Sequence, residues 1–146
     1  MIASSINQKI QDAMKARDDI RVSTLRLLSS AFNYERIAKQ HELTEEEEWA
    51  VVRREAKKRI EAIEAYEKAQ VQEKADREKK ELTILEEFLP QQMSDEDLAK
   101  VVDEAISSVH ASKIADMGKV IGMVMGKTAG RADGGRVSQL VKKRLG

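Results

Sequence analysis

The stretch LEEFLPQQMSDEDL, Leu85 to Leu98, divides the chain into two helical parts. It contains Pro90, the only proline among 146 residues, and proline is not tolerated in the interior of a helix. Ser94 follows shortly afterwards, with Asp97 three positions on, and this spacing is typical of a helix N-terminus capped by a side chain. One helix therefore ends before Pro90 and another begins after Ser94. We predict two domains, residues 1–90 and 91–146.

The composition favours helices throughout the chain. Charged residues make up 36% and aromatic residues only 3%, and the chain is rich in strong helix formers. The absence of cysteine excludes disulfides and thiolate metal sites. The N-terminal residues lack the apolar core of a signal peptide, and no apolar run approaches the roughly 18 residues of a membrane span. We predict an all-α protein, expected to be cytoplasmic and without membrane contact.

Before Pro90, apolar residues recur at helical spacing in four segments. We expect Ser4 or Ser5 to cap the first helix, and Thr44, with Glu47 three residues later, to cap a long third helix. The apolar positions of the third helix recur at close to 3.5 residues, as in a coiled-coil-like hairpin arm, and are Trp49, Val52, Ala56, Ile63 and Tyr66. Its partner arm is the segment 72–89. The pattern predicts an antiparallel helical N-terminal domain with a long helical hairpin.

After Ser94, three shorter helices are expected to form a small C-terminal three-helix bundle. Asp116 and Asp133 are the predicted caps of its second and third helices. The net charge of the chain is zero, but residues 113–146 contain eight Lys or Arg against two acids, and all seven glycines lie beyond residue 117. This asymmetry favours an anionic partner for the C-terminal domain.

The glycines of MGKVIGMVMGKTAG, Met117 to Gly130, recur at every fourth residue. A phosphate-binding loop is excluded, because only three residues separate Gly122 from Gly126, where the motif needs four, and no strand precedes them. On a helix, each internal glycine costs about 0.8–1 kcal/mol relative to alanine, so a neighbour must approach this backbone closely. Two interpretations remain open: a tightly packed neighbouring helix, or a nucleic-acid backbone lying on the bare side beside Lys119.

The sequence motifs of this region resemble those of a known family. GKVIGMVMGKTAGRADGGRVSQLVKKRLG is similar to the end of YqeY-type proteins and to the tail of the GatB subunit of the glutamyl/aspartyl-tRNA amidotransferase. For YqeY the resemblance covers the whole chain, through STLRLLSSAFNYE, LTEEEE, LEEFLP and DMGKVIG; for GatB it covers about the last 50 residues. The sequence departs from the pattern at Gly126, where the family often has proline, and at Gly135, where it often has lysine.

The resemblance implies a role near tRNA. The tail of the amidotransferase subunit is not its catalytic part and is associated with gripping the outer corner of tRNA, as is a similar domain appended to a glutaminyl-tRNA synthetase. The implied partners are therefore tRNA and an aminoacyl-tRNA synthetase or amidotransferase, and no DNA is expected. The candidate RNA-binding residues are Lys119, Gly122, Lys127, Gly130, Arg131, Arg136, Lys142 and Lys143. Asp133 matches the motif too, but its carboxylate suits a helix cap better than a phosphate contact.

Contact with the sugar-phosphate backbone, and not base reading, is expected, because the C-terminal domain has almost no aromatic residue on which a base could stack. No catalytic set is found: there is no cysteine, nucleophile elbow or amidase signature, and neither a cofactor nor a metal site is expected. The leading interpretation is a non-catalytic tRNA-binding accessory protein. Two alternatives remain open. One is a component of a carbon–nitrogen ligase with glutamine as amido-N-donor, which is the activity the family name is linked to. The other is a protein–protein interaction module that uses the hairpin of residues 44–89.

The run RREAKKR, Arg53 to Arg59, has two interpretations as well. It is either a second RNA contact or a solvated helix face whose cations pair with acids such as Glu55, Glu61 and Glu64.

Overall fold

The computed structural model describes residues 1–146 and contains helices and turns without a single strand, which confirms the all-α prediction. None of the helices combines the length and the apolar character needed to cross a membrane. A short 3-10 turn, Ile114–Asp116, precedes the sixth helix. The seven α-helices are α1 (Ile2–Lys15), α2 (Asp19–Lys39), α3 (Glu45–Lys68), α4 (Gln72–Glu86), α5 (Asp95–Val109), α6 (Met117–Thr128) and α7 (Gly134–Leu145).

The chain forms two compact units, Met1–Leu89 and Pro90–Gly146. In the first unit, the core lies between α1, α2, α3 and α4. Its buried apolar side chains are Ile6, Ala13, Leu25, Leu28, Phe32, Leu43, Val51, Val52, Ile84 and Leu85. Asp18 caps α2 by accepting from the backbone N–H of Arg21, and Thr44 caps α3 by accepting from Glu47, as predicted for Thr44.

The start of α1 differs from the prediction. The helix begins at Ile2, and the hydroxyls of Ser4 and Ser5 donate to carbonyls of the preceding turn instead of capping it. The cap comes from α3: a carboxylate oxygen of Glu48 accepts the N–H of Ile2 at 2.7 Å. Glu48 is therefore buried, while Trp49 next to it is only half-buried, so the prediction of Trp49 as a core residue is wrong by one position on the helix.

The α3 and α4 helices pack against each other more extensively than any other pair and form the predicted hairpin. Ion pairs tie the two arms together: Arg59 lies 3.1 Å from Glu81, and Lys79 lies 2.8 Å from Glu67. The later of the two α3 residues, Glu67, pairs with the earlier of the two α4 residues, Lys79. The two arms are therefore antiparallel.

These contacts also show how the RREAKKR run is used. Arg54 pairs with Glu35 at 2.9 Å, Lys58 with Glu55 at 3.1 Å, and Arg59 with acids of α4. Most of the cations therefore have acidic partners, as the solvated-face interpretation expects. However, apart from Glu55, the partners belong to other helices and are not Glu61 or Glu64.

The second unit is built from α5, α6 and α7, each of which packs against the other two. Its core is small and aliphatic, and consists of Leu98, Val102, Ala105, Val120, Val124, Ala132, Val137 and Val141. Ser94 caps α5 through the N–H of Asp97, and Asp133 caps α7 through the N–H of Arg136 at 2.9 Å. Asp116 does not cap α6: its carboxylate accepts from the N–H groups of Ser112 and Lys113, on the preceding turn.

Candidate nucleic-acid interface

The α6 helix has a buried side and a bare side. Val120, Val124 and Thr128 are buried in the core of the second unit, with 0 to 1% of their surface exposed. At about 100° per residue, Gly118, Gly122 and Gly126 fall on the opposite side of the helix, and all three are exposed. A methyl group added to any of the three would meet no atom within 4 Å. We call these three residues the glycine face.

This geometry bears on one of the two interpretations of the glycine ladder that the sequence left open. Tight packing of a neighbouring helix against the glycines is wrong, because the space beside them is empty. Three glycines in one helix cost about 2.4–3 kcal/mol relative to alanine, and no contact within the protein offsets that cost. The glycine face is therefore open to solvent, with its backbone accessible.

Two lysines of α6 flank this surface. Lys119 lies about 20° around the helix from Gly126, directly beside the glycine face, whereas Lys127 lies about 100° from Gly126, towards the edge of the buried side. Both side chains are exposed, and neither has an acidic partner within 4 Å. Lys119 is thus placed next to the bare backbone, whereas Lys127 lies beside the buried side of the helix.

The loop after α6 presents Arg131. Ala129 ends the helix with φ 46° and Gly130 continues in the left-handed region with φ 83°, which is the conformation that favours glycine. The loop is fixed by the N–H of Met93, which donates to the Arg131 carbonyl at 2.7 Å. The Arg131 side chain is exposed and has no ion pair, so a free guanidinium projects from an anchored backbone. Gly130, by contrast, is half-buried and serves the turn itself.

Arg136 is held inside the second unit. One of its terminal nitrogens lies 2.8 Å from a carboxylate oxygen of Asp95 and donates to the carbonyl of Met93 at 3.0 Å. This side chain ties the start of α7 to the start of α5. Arg144 is similarly occupied by Asp103 at 3.1 Å.

The two ends of α7 offer different groups. At its start, Gly134 and Gly135 are exposed and contribute backbone N–H groups of the first turn, but the Asp133 carboxylate caps the same turn. At its end, Lys142 and Lys143 are exposed without acidic partners, about 100° apart around the helix. The two lysines therefore point in different directions.

Lys113 was not among the sequence candidates, although it opens the basic part of the chain. It is exposed, and its backbone N–H donates to Asp116 at 3.2 Å. The N–H groups of Ser112 and Lys113, together with the charges of Lys119 and Lys113, lower the pKa of Asp116 below its ordinary value. Asp116 therefore stays ionised and holds the turn in which Lys113 lies. The count of charge over residues 113–146 includes Lys113, so this signal was available in the sequence.

The site has no set of residues for covalent chemistry. It consists of exposed cations and bare backbone, an arrangement suited to neutralising and contacting a polyanion.

Comparison of the sequence with known proteins places the chain in one family. The chain is 32% identical over 89 residues to an uncharacterized protein of Schizosaccharomyces pombe, a match that covers 61% of this chain and 72% of that protein. Over 56 residues it is 43% identical to the GatB subunit of the aspartyl/glutamyl-tRNA(Asn/Gln) amidotransferase of Thermobifida fusca, which covers 34% of this chain but 11% of that relative. The family model described as Yqey-like protein matches residues 3–145. The chain belongs to the YqeY family.

Proposed function

We propose that this protein is a non-catalytic tRNA-binding accessory protein, and that its second unit binds the sugar-phosphate backbone of tRNA. The observation that carries the proposal is the glycine face, which is exposed, empty and bordered by Lys119. A helix without side chains on its outer side lets a polyanion approach the main chain, where a side chain would hold it several ångströms away.

The surrounding charges support the same partner. Lys119, Lys127, Arg131, Lys142 and Lys143 are exposed and unpaired, and Lys113 adds a sixth cation. Phosphate contacts fix position without reading bases, which agrees with the absence of Phe, Tyr and Trp from the second unit. Arg136 was a sequence candidate, but its pairing with Asp95 and Met93 gives it a role in packing, and we leave it out of the proposed interface.

The partial match to the GatB subunit of a tRNA amidotransferase supports tRNA as the polyanion. The name of that relative refers to tRNA(Asn/Gln), and the matched part is a small fraction of its length. We further propose that the protein presents the bound tRNA to an aminoacyl-tRNA synthetase or amidotransferase.

The proposal is tested by filter binding of bulk tRNA to the full chain and to the double variant Lys127→Glu/Arg131→Glu. Both side chains are exposed, so the variant is expected to fold, and its affinity should fall at least tenfold, or about 1.4 kcal/mol. Lys80→Glu, together with Lys68→Glu, is the matched control, because these exposed lysines lie in the first unit outside the RREAKKR run and the charge change is the same. Equal losses in the two double variants would show that charge alone, and not this surface, governs binding.

A second candidate function is a part in glutamine-dependent transamidation, favoured by the same match to the GatB subunit. In that case the protein, supplied with glutamine, ATP, mischarged tRNA and the partner subunits, should increase the release of glutamate. No change in glutamate release upon its addition would remove this candidate and leave tRNA binding untouched.

A further inference from the structure

The α2 helix buries one side and exposes a second apolar side. Its core side consists of Thr24, Leu25, Leu28 and Phe32, none of which is more than 3% exposed. On another side lie three large apolar residues that are mostly in contact with solvent: Leu27 is 52% exposed, Tyr34 is 77% exposed and Ile37 is 67% exposed. Leu27, Ser30, Tyr34 and Ile37 share an arc of about 80°, at about 100° per residue. We call them the Leu27 stripe.

The stripe has the spacing of a helix–helix seam. The successive intervals from Leu27 through Ser30 and Tyr34 to Ile37 are three, four and three residues, the alternation that keeps a seam facing a partner helix. Between Leu27 and Ile37 no charged residue lies in the arc, and the small residues Ala31 and Ala38 border it on one side. In a chain of which 36% of residues are charged, such a surface on a helix is unexpected for a face that meets only water.

The order of side-chain sizes along the stripe is self-complementary. If a second copy of α2 lies antiparallel with its centre at position 32, Leu27 faces Ile37, and Ser30 faces Tyr34. Each small residue then lies opposite the largest one, and the contact is made twice, as two-fold symmetry requires. In a parallel pair, Tyr34 would face Tyr34 while Ser30 faced Ser30, which produces a clash and a void in neighbouring layers.

The charged residue beside the stripe is compatible with the antiparallel arrangement. Arg26 is exposed at one margin of the stripe. In the antiparallel pair the second Arg26 lies at the height of position 38, so the two guanidinium groups are separated by about 18 Å along the helix axis. The antiparallel pair also places the helix dipoles in opposition.

We infer that the Leu27 stripe is a homodimerisation surface that pairs with the stripe of a second copy of this chain in antiparallel orientation. A contact made by one helical stripe is smaller than the roughly 1,200–2,000 Å² of stable specific interfaces. The dimer is accordingly weak, with a dissociation constant above about 1 μM, and forms at high local concentration.

Sedimentation equilibrium of the full chain, from about 5 to about 500 μM, tests the inference. The wild type should shift from monomer towards dimer across this range, and Ile37→Glu should raise the dissociation constant by at least about tenfold. The matched control is Ile114→Glu, at a position 52% exposed in the second unit, which should leave dimerisation unchanged. Circular dichroism checks that each variant keeps its helix content.

The register is tested by a charge pair. Leu27→Lys and Ile37→Glu should each weaken the dimer, whereas the double variant L27K/I37E should recover it, since opposite charges then meet twice across the two-fold axis. Ten residues separate these positions, so they cannot pair within one helix. Three results would overturn the inference: a monomer at every concentration, a dimer indifferent to Ile37→Glu, or a double variant no better than the single ones.

Discussion

At the scale of single residues, substitution of Gly122 should change stability and tRNA binding in opposite directions. This residue is exposed in the middle of α6, and an added methyl group meets nothing. We expect Gly122→Ala to raise the free energy of unfolding of the second unit by about 0.8–1 kcal/mol, because alanine is the better helix former. The same methyl group lies where the tRNA backbone is proposed to approach, so tRNA affinity should fall several-fold. Chemical denaturation and filter binding measure the two effects on one preparation.

Larger side chains at this position extend the test. Gly122→Leu should weaken tRNA binding more than Gly122→Ala, while the fold remains intact because the site is open to solvent. A variant that is more stable and binds tRNA as well as the wild type would mean that the glycine face has no part in binding.

Asp116 provides a prediction about pH. The backbone N–H groups of Ser112 and Lys113 favour its charged form and lower its pKa. A carboxyl group with a lowered pKa contributes stability that is present above its unfolded pKa and is lost as the pH falls through its folded pKa. An NMR titration of the side-chain carboxyl carbon should therefore give a pKa below that of an ordinary aspartate. An ordinary or raised pKa would contradict the two hydrogen bonds.

The role of a residue could be predicted from the sequence when its hydrogen-bond partner lies nearby in the chain, and not when the partner is distant. Thr44, Ser94 and Asp133 cap helices whose N–H groups lie three residues away, so the spacing alone predicts them. Glu48 meets Ile2 across 46 residues, and Arg136 meets Asp95 across 41, and no local pattern reports either contact. The prediction that Asp116 caps α6 is wrong, because its carboxylate accepts from the N–H groups of Ser112 and Lys113, just before the 3-10 turn.

At the scale of elements, the α3–α4 hairpin contains two carboxylates that share one arginine. Arg59 lies 3.1 Å from Glu81 and 3.6 Å from Glu78. Removal from water, and secondarily the charge of Glu81, raises the pKa of Glu78. A carboxyl group with a raised pKa stabilises the fold fully below its unfolded pKa, and this contribution is lost as the pH rises through its folded pKa.

The two carboxylates should therefore respond differently to neutralisation. At pH 7, Glu78→Gln should leave the free energy of unfolding unchanged or raise it by up to about 1 kcal/mol, since it resembles the protonated form. Glu81→Gln should lower it by about 1–2 kcal/mol, because it removes the nearest partner of a largely buried guanidinium. Urea denaturation of the pair compares them directly. A larger loss from Glu78→Gln than from Glu81→Gln would contradict this assignment.

The helical spacing of the apolar residues predicted each α-helix, but it did not always predict which side of the helix is buried. In α3 the core residues are Val51, Val52 and Ala56 together with Glu48. Val52 and Ala56 belong to the predicted stripe, whereas Trp49 is only half-buried and Glu48 is buried beside it. A glutamate looks like a solvent residue in any pattern, and only the distant N–H of Ile2 accounts for its burial. In α6 the period placed the glycines together, while the empty space beside them depends on how α5 and α7 pack.

At the scale of the whole molecule, the chain combines zero net charge with an uneven distribution of it. The acids of the second unit lie chiefly on α5, where Asp95 and Asp103 pair with Arg136 and Arg144. Apart from Lys100 on α5, the free cations belong to α6, α7 and the segments beside them. The all-α class followed from composition and period. The sequence did not predict which cations are free and which are paired, because each pairing depends on the packing of α5 against α7.

The salt dependence of tRNA binding to the wild-type protein tests the central claim most directly. Each phosphate neutralised by a lysine or arginine releases bound counterions, so the logarithm of the affinity falls linearly with the logarithm of salt concentration. With about four to six phosphates engaged by the exposed cations of the second unit, we predict a slope of roughly −3 to −5. A flat salt response, or no binding at low salt, would contradict the account.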